Sequence, residues 1–439
     1  MRTGDRVFTF LFIALAISPS RTRELSAETA NYSAYHLVPP GLAIGKAVDM
    51  DGLFLVPVIA AKDRPERYAL DLLPLADGLA AGSVAIREYG VTADSEPAEA
   101  VNAQQNRQAE QAPRAQQAEA AQQVQELQQT TWGGDGARVN TLLISNGSGK
   151  HLLILAGDLI VGGKQNRVAV ADMILPPGPI ERELPVFCVE EERWRIDERV
   201  HKASFEAGPT GMAEQGLRKA IVNDGRQQKV WDEVESLNKS RASEQSDYTA
   251  AVMQKNVREA IEAAEAEALA RLPVEGVCGL MAFEAGRCRG LDIFASPELF
   301  SAYRGRIIRA YLLDALAAAQ AAARSPAGAR AAASGPLAVL DNAAESLASS
   351  AAPAPAGRSA PSETAASEAG RRSELEAQTV LEALGAARAG GLLRASPSGV
   401  FLLAELPRLR GGLLLFEETK AEGLAREKRF AHVALFSDD

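Results

Sequence analysis

The sequence predicts an α+β fold: mainly antiparallel β meander and sheets, with a helical segment packed on them and two low-complexity insertions looped out. Three observations predict it. Short β-rich runs bounded by Gly or Pro recur over residues 36–60 and 151–190, as successive strands do. Apolar residues at helical spacing dominate 211–317. The composition changes abruptly at 94–130 and again at 318–372, where large apolar side chains nearly vanish.

The chain has 439 residues, and 46% of them are hydrophobic, enough to bury a core. Aromatics are only 5%, and alanine-rich tracts inflate the apolar share, so the ordered body is smaller than the length suggests. A net charge of −10 argues against binding to a nucleic-acid backbone. Segment 94–130 holds Asp94, Glu96, Glu99, Glu110, Glu119 and Glu126 against Arg107 and Arg114, so a local cationic site elsewhere stays open.

At the N-terminus, Arg2 and Arg6 precede a largely apolar run from Val7 to Ile17, followed by Ser18, Pro19 and Ser20. The run is too short to span a bilayer and has the layout of a secretory signal peptide over 1–27. The expectation is an exported protein, periplasmic or secreted, with no stable membrane span after processing. Residues 36–60 read as two strands with Pro-Pro-Gly and Asp-Gly turns, and 73–90 as a short helix then a strand from Val84 to Tyr89. These strands, within 32–93, open the core domain.

The runs 151–156, 158–161, 167–175 and 182–190 read as an antiparallel meander, which with the helices after it makes up 131–317. Helices follow at 211–223, at 227–238 with Val230, Trp231, Val234 and Leu237 as buried stripe, and at 247–272 with Met253, Val257, Ile261, Ala264 and Ala268 on one side. Residues 277–294 form a hairpin about an Ala-Gly turn. Ser296 then caps a helix with Pro297 at its first position and Glu298 in the first turn. Segment 318–372 reads as an Ala/Ser/Pro-rich linker. The last unit, 373–439, is a helix at 374–388 and strands near 400–404, 413–418 and 431–436, packing back on the core.

The densest chemistry lies in GGKQNR and CVEEERW. Gly162 and Gly163 let backbone N–H groups approach an anion, with Lys164, Gln165, Asn166 and Arg167 supplying charge and amides. The alternative is a hairpin turn whose polar groups cap the backbone. No Ser or Thr follows the lysine, so this is not a P-loop. Glu190 is a candidate general base or an orienting group for Lys164 and Arg167, and Asp158 a second candidate base. Arg193 and Trp194 stand just past the strand end, where Trp194 can stack on a ring or simply pack. Cys188 reads as a small buried apolar residue. Cys278 and Cys288 sit at unequal depths of one hairpin, roughly 15 to 20 Å apart, beyond the reach of a disulfide at about 7 Å. His36, His151, His201 and His432 show no ligand spacing, so no metal site and no cofactor is expected.

GGKQNR, CVEEERW, VWDEVESL at 230–237, GLDIFASPELF at 290–300 and FAHVALF at 430–436 together resemble the ARG and Rhodanese-Phosphatase-superfamily-associated Protein domain, ARG being ADP-ribosylglycohydrolase. The resemblance spans most of 36–317 and 374–436, and it makes 94–130 an insertion. It points to His432 as matching a family histidine in the last strand. By its name it implies association with enzymes of ADP-ribose and phosphate chemistry. The leading expectation is therefore a secreted or envelope-associated domain that binds a small anionic ligand, for which the family name alone suggests a nucleotide- or ADP-ribose-derived class. Two other classes stay open: a hydrolase or transferase using Glu190 or Asp158, and a structural or protein-interaction envelope protein with partners unknown. If the N-terminal reading holds, sequencing of the exported protein finds a mature chain beginning between about residues 21 and 31; intact Met1 in a soluble cytoplasmic fraction refutes it.

Overall fold

The structure, a computed structural model, describes residues 35–62, 70–89, 140–190, 205–324, 363–419 and 426–438. The leader, the 94–130 insertion, most of the linker, Arg193 and Trp194 lie outside the described residues.

The described residues have the α+β architecture expected, with mostly antiparallel sheets and helices packed on them. The largest sheet has nine strands: β1 (Leu42–Ile44), β2 (Val48–Met50), β3 (Leu53–Ala60), β13 (Val277–Glu284), β14 (Arg287–Phe294), β15 (Leu392–Ser396), β16 (Gly399–Leu406), β17 (Leu409–Thr419) and β18 (Arg426–Ser437). Its order is β1-β3-β13-β14-β18-β17-β16-β15, with β2 also on β3. The C-terminal strands thus pair directly with the 277–294 hairpin. That hairpin closes as expected, through Ala285 and Gly286 at positive φ, the geometry of a tight two-residue turn.

Among the described residues, five α-helices follow α1 (Leu75–Ala80) before the C-terminal one: α2 (Gln215–Lys219), α3 (Gln227–Ser240), α4 (Tyr248–Val252), α5 (Lys255–Arg271) and α6 (Pro297–Arg324). The last, α7, is Glu363–Ala386. The Leu299 N–H donates to the Ser296 hydroxyl, so α6 starts with the cap read from sequence. It packs on β13 and β14, α5 packs on α6, and α7 packs on β1, β3 and β14. Val277 to Phe283 are buried without a break, so neither face of the sheet's centre meets water.

Two smaller sheets complete the body. One has β4 (Leu72–Pro74), β7 (His151–Ile154) and β10 (Met173–Leu175), with β4 and β7 parallel. The other has six strands in the order β12-β8-β9-β11-β6-β5: β5 (Val84–Glu88), β6 (Thr141–Asn146), β8 (Asp158–Val161), β9 (Arg167–Ala169), β11 (Gly178–Cys188) and β12 (Glu206–Met212). Leu152 and Ile154 of β7, with Met173 and Leu175 of β10, face a small core shared with Leu142, Ile144, Leu184 and Val186. Their neighbours Leu153 and Ile174 face the main core instead. The three-stranded sheet is therefore a partition, and the two-residue period of a strand gives each core every second side chain.

Several elements differ from the sequence reading. Residues 36–60 form three strands, because Asp51 and Gly52 at positive φ turn β2 back onto β3. The 151–190 meander is split between two sheets: the run 167–175 breaks at 170–172, where the Asp172 side chain accepts the Ala156 N–H. Residues 206–212 are a strand, so the helix expected at 211–223 is the short α2 continuing into a π turn that Gly225 ends in the left-handed region. The helix expected at 247–272 is two, interrupted at Met253 and Gln254, with Met253 exposed. Trp231 is half-buried at the edge of its stripe, while Val230, Val234 and Leu237 are buried. Helix α6 runs on to Arg324 and α7 begins at Glu363, before the expected 374. Cys188, Cys278 and Cys288 form no disulfide, in keeping with the sequence reading. Among the described residues no helix is long and apolar enough to cross a membrane.

Candidate functional site

The turn between β8 and β9 is built by backbone conformations that glycine tolerates. Gly162 has φ 121 and Gly163 φ 57, in the region where side chains are rarely found. A Cβ on Gly163 would stand 2.3 Å from Phe205 Cζ and 2.6 Å from a Glu88 carboxylate oxygen. That oxygen accepts the Lys164 N–H at 2.8 Å. Lys164 itself is half-buried at the rim.

The rest of the motif points inward. Gln165, Asn166 and Arg167 are 3%, 1% and 0% exposed. The Gln165 amide donates to the Glu190 carbonyl, and the Asn166 amide to Thr249 at 2.8 Å and Asp247 at 3.2 Å. A Glu190 carboxylate oxygen lies 3.5 Å from the Asn166 nitrogen, and the Glu190 and Asp247 backbones form an isolated bridge. The structure thus brings GGKQNR and Glu190 together, as their sequence order alone did not require. It ties them to α4, whose cap residue Asp247 accepts the Thr249 N–H.

Cys188 is clamped by Gln227, whose amide accepts the Cys188 N–H and donates to the Cys188 carbonyl, both at 2.8 Å. A side-chain amide here substitutes for a neighbouring strand. Burial pushes the thiol up to about 11, so Cys188 is not poised as a thiolate.

A second polar cluster joins the layers about 432. His432 of β18 reaches Asp172 through Nδ1 at 2.6 Å and Asp292 through Nε2 at 3.2 Å. Asp292 receives a forked bond from Arg218 at 3.0 and 2.6 Å and the Tyr311 hydroxyl at 2.7 Å. Arg218 also donates to the Ala156 carbonyl and lies over the Phe436 ring. Its stem fills the space beside Gly157, where a Cβ would come within 2.5 Å. All four polar side chains about His432, and His432 itself, are almost wholly buried.

Electrostatics follows from this pairing. Burial pushes the His432 imidazole down, but Asp172 and Asp292 outweigh it and hold it at about 8. Burial raises Asp292, yet Arg218 and His432 bring it down to about 2. Asp158 has no such partner: burial pushes it up to about 7 although its carboxylate accepts the Leu155 N–H, and Oδ1 has no hydrogen-bond partner. A further buried ion pair, Arg241 with Glu214, lies beside Tyr248, whose hydroxyl accepts the Glu214 N–H. Among the described residues no group of three or more His, Cys, Asp or Glu is arranged to hold a metal ion.

The model of the ARG and Rhodanese-Phosphatase-superfamily-associated Protein domain matches residues 41–384. The chain belongs to this family. No curated protein and no solved structure matches it. The matched span holds the GGKQNR turn, Glu190, Asp158, Asp172, Arg218 and Asp292. FAHVALF lies beyond it, although His432 in that strand is hydrogen-bonded to two residues inside it.

Sequence reasoning missed Glu88, Asp172, Arg218, Gln227, Asp247 and Asp292. Two of these carried a signal: Asp172 in RVAVADMIL and Asp292 in GLDIF are lone acids inside apolar strand runs, places where a charge needs a buried partner. The others sit in polar or helical surroundings where nothing marks them.

The His432 cluster makes a pH prediction. Its raised value stabilises the folded state fully below the ordinary histidine value of 6.5, and that stability is lost as pH rises through about 8. Asp158, also raised, acts in the same direction between its ordinary 3.8 and about 7, whereas Asp292 loses stability only as pH falls towards about 2. Urea unfolding should therefore show a loss of about 2 kcal/mol between pH 6.5 and 8.5, and His432→Gln should flatten that slope. An equal slope in the variant would mean another group titrates.

Proposed function

We propose that this family member is a binding domain for a small anion, received at the turn of Gly162, Gly163 and Lys164, and that it works after export. The observation that carries the reading is the contact of this turn with the Glu88 carboxylate, held by the Lys164 N–H: the turn already accepts a carboxylate. The Gly162 N–H is used within the turn by the Asn166 side chain, which leaves the Lys164 N–H as the donor that meets a carboxylate, and backbone N–H groups in such turn conformations favour anions. Lys164 at the rim adds charge where solvent reaches it. The family's name, with its phosphatase and ADP-ribosylglycohydrolase association, favours a phosphate-bearing ligand over a simple carboxylate. Export is supported by the Arg-flanked apolar run 7–17.

In this reading Gln165, Asn166 and Glu190 brace the turn from below, and Lys164 meets the ligand. The variants should separate accordingly. Lys164→Ala is expected to weaken binding of inorganic pyrophosphate with almost no change in Tm, since a charge at the solvent rim contributes little to folding. Asn166→Ala is expected to destabilise the fold by about 1 to 3 kcal/mol, because the buried Thr249 and the half-buried Asp247 lose their amide partner. Calorimetric titrations and melting curves read both. Equal pyrophosphate binding by wild type and Lys164→Ala, or none by either, would overturn the proposal.

Asp158 favours a second reading, a hydrolase or transferase: it is a buried carboxyl pushed up to about 7 with one oxygen lacking a hydrogen-bond partner, and such groups cluster at catalytic sites. Asp158→Asn should then abolish turnover of a phosphoester while leaving binding intact. Turnover unaffected by this change would remove Asp158 from the chemistry.

A further inference from the structure

Glu88 is placed with unusual definition for a residue at the end of an edge strand. Its neighbour Arg87 forms two parallel bonds to Glu181 of β11, each 2.5 Å. The β5–β6 register sets Glu88 opposite Leu142. These restraints deliver the Glu88 carboxylate over Gly163, 2.8 Å from the Lys164 nitrogen. A side chain at 163 would meet that carboxylate and the Phe205 ring, so the seat of the carboxylate depends on glycine at this position.

We infer that Glu88 sets the ligand class of the turn: held over the donor site as a built-in competitor, it excludes monoanions and yields only to ligands carrying two or more negative charges, such as a diphosphate group. This rests on the reading of the turn as an anion site. A carboxylate tethered beside its donors competes at an effective concentration on the order of millimolar or higher. A free monocarboxylate offers the Lys164 N–H the same charge and the same hydrogen bond, so it gains nothing by replacing Glu88. A diphosphate brings further oxygens and charge, which can engage the N–H that Glu88 leaves and the Lys164 ammonium together, and bonds between ionised groups are the stronger kind. Displacement also moves the Glu88 charge away from the incoming anion, on a strand end already half exposed. Sequence distance hides this pairing, since 76 positions separate Glu88 from Lys164.

The test is calorimetric titration of the full chain and of Glu88→Gln and Glu88→Ala with inorganic pyrophosphate, ADP and acetate, with melting curves for each protein. Wild type should bind pyrophosphate and not acetate. Both variants should bind pyrophosphate about tenfold more tightly, the scale expected on removing one like charge near the site, and acetate should become measurable. ADP stronger than pyrophosphate assigns the diphosphate to a nucleotide, and the reverse to a free polyphosphate; either order fits the inference. If wild type binds pyrophosphate and the folded variants bind it no better and still refuse acetate, Glu88 is not the filter and the anion site stands without it. If neither wild type nor variant binds any of the three, the anion site itself falls. Loss of a cooperative melt in both variants makes Glu88 a structural brace and equally overturns the inference.

Discussion

The fold hangs on the buried pairing of Arg218 with Asp292. Taking both charges out of water is costly, and the cost is met only where geometry is good and the remaining hydrogen-bonding capacity is filled. Here the guanidinium grips both carboxylate oxygens and the Ala156 carbonyl, while the carboxylate also takes Tyr311 and His432. Removing one partner of such a pair typically costs about 3 to 5 kcal/mol, because the other charge stays buried alone. The contacts come from α2, β14, α6, β18 and the β7–β8 turn, so one electrostatic demand fixes the mutual placement of elements that share little sequence proximity.

His432 and Asp172 extend this demand to the partition between the two cores. Asp172 holds the Ala156 N–H with one oxygen and His432 with the other. The chain must therefore break after β9 and enter β10 on a different sheet. Apolar packing sets the rest: alternate residues of β7 and β10 serve the two cores, and a register slip of one residue would exchange them all.

The GGKQNR turn is shaped by the same economy of buried polar groups. Its inward amides are used by Glu190, Asp247 and Thr249, and Glu88 meets the outward backbone donor. A segment that reads in sequence as either a binding loop or a capped turn is, in space, layered. The lower part is bound into the protein, and only its lip, at Lys164 and Glu88, faces solvent enough to exchange one partner for another.

What the sequence by itself determined was local. Period-two and helical apolar patterns, Ser296 with Pro297 and Glu298, the Ala285-Gly286 turn and the motifs of the family are all properties of a few neighbouring residues, and each has its counterpart in the described structure or the family match. Tertiary structure alone decided which strands pair, why the 167–175 run is cut in two, and which groups meet the turn. Those outcomes depend on contacts between residues distant in sequence, among them Glu88 with Lys164, 76 positions apart, and Asp172 with His432, 260 apart. A single buried charge there can override an apolar run that would otherwise continue as one strand, and no local pattern states which distant residue will neutralise it.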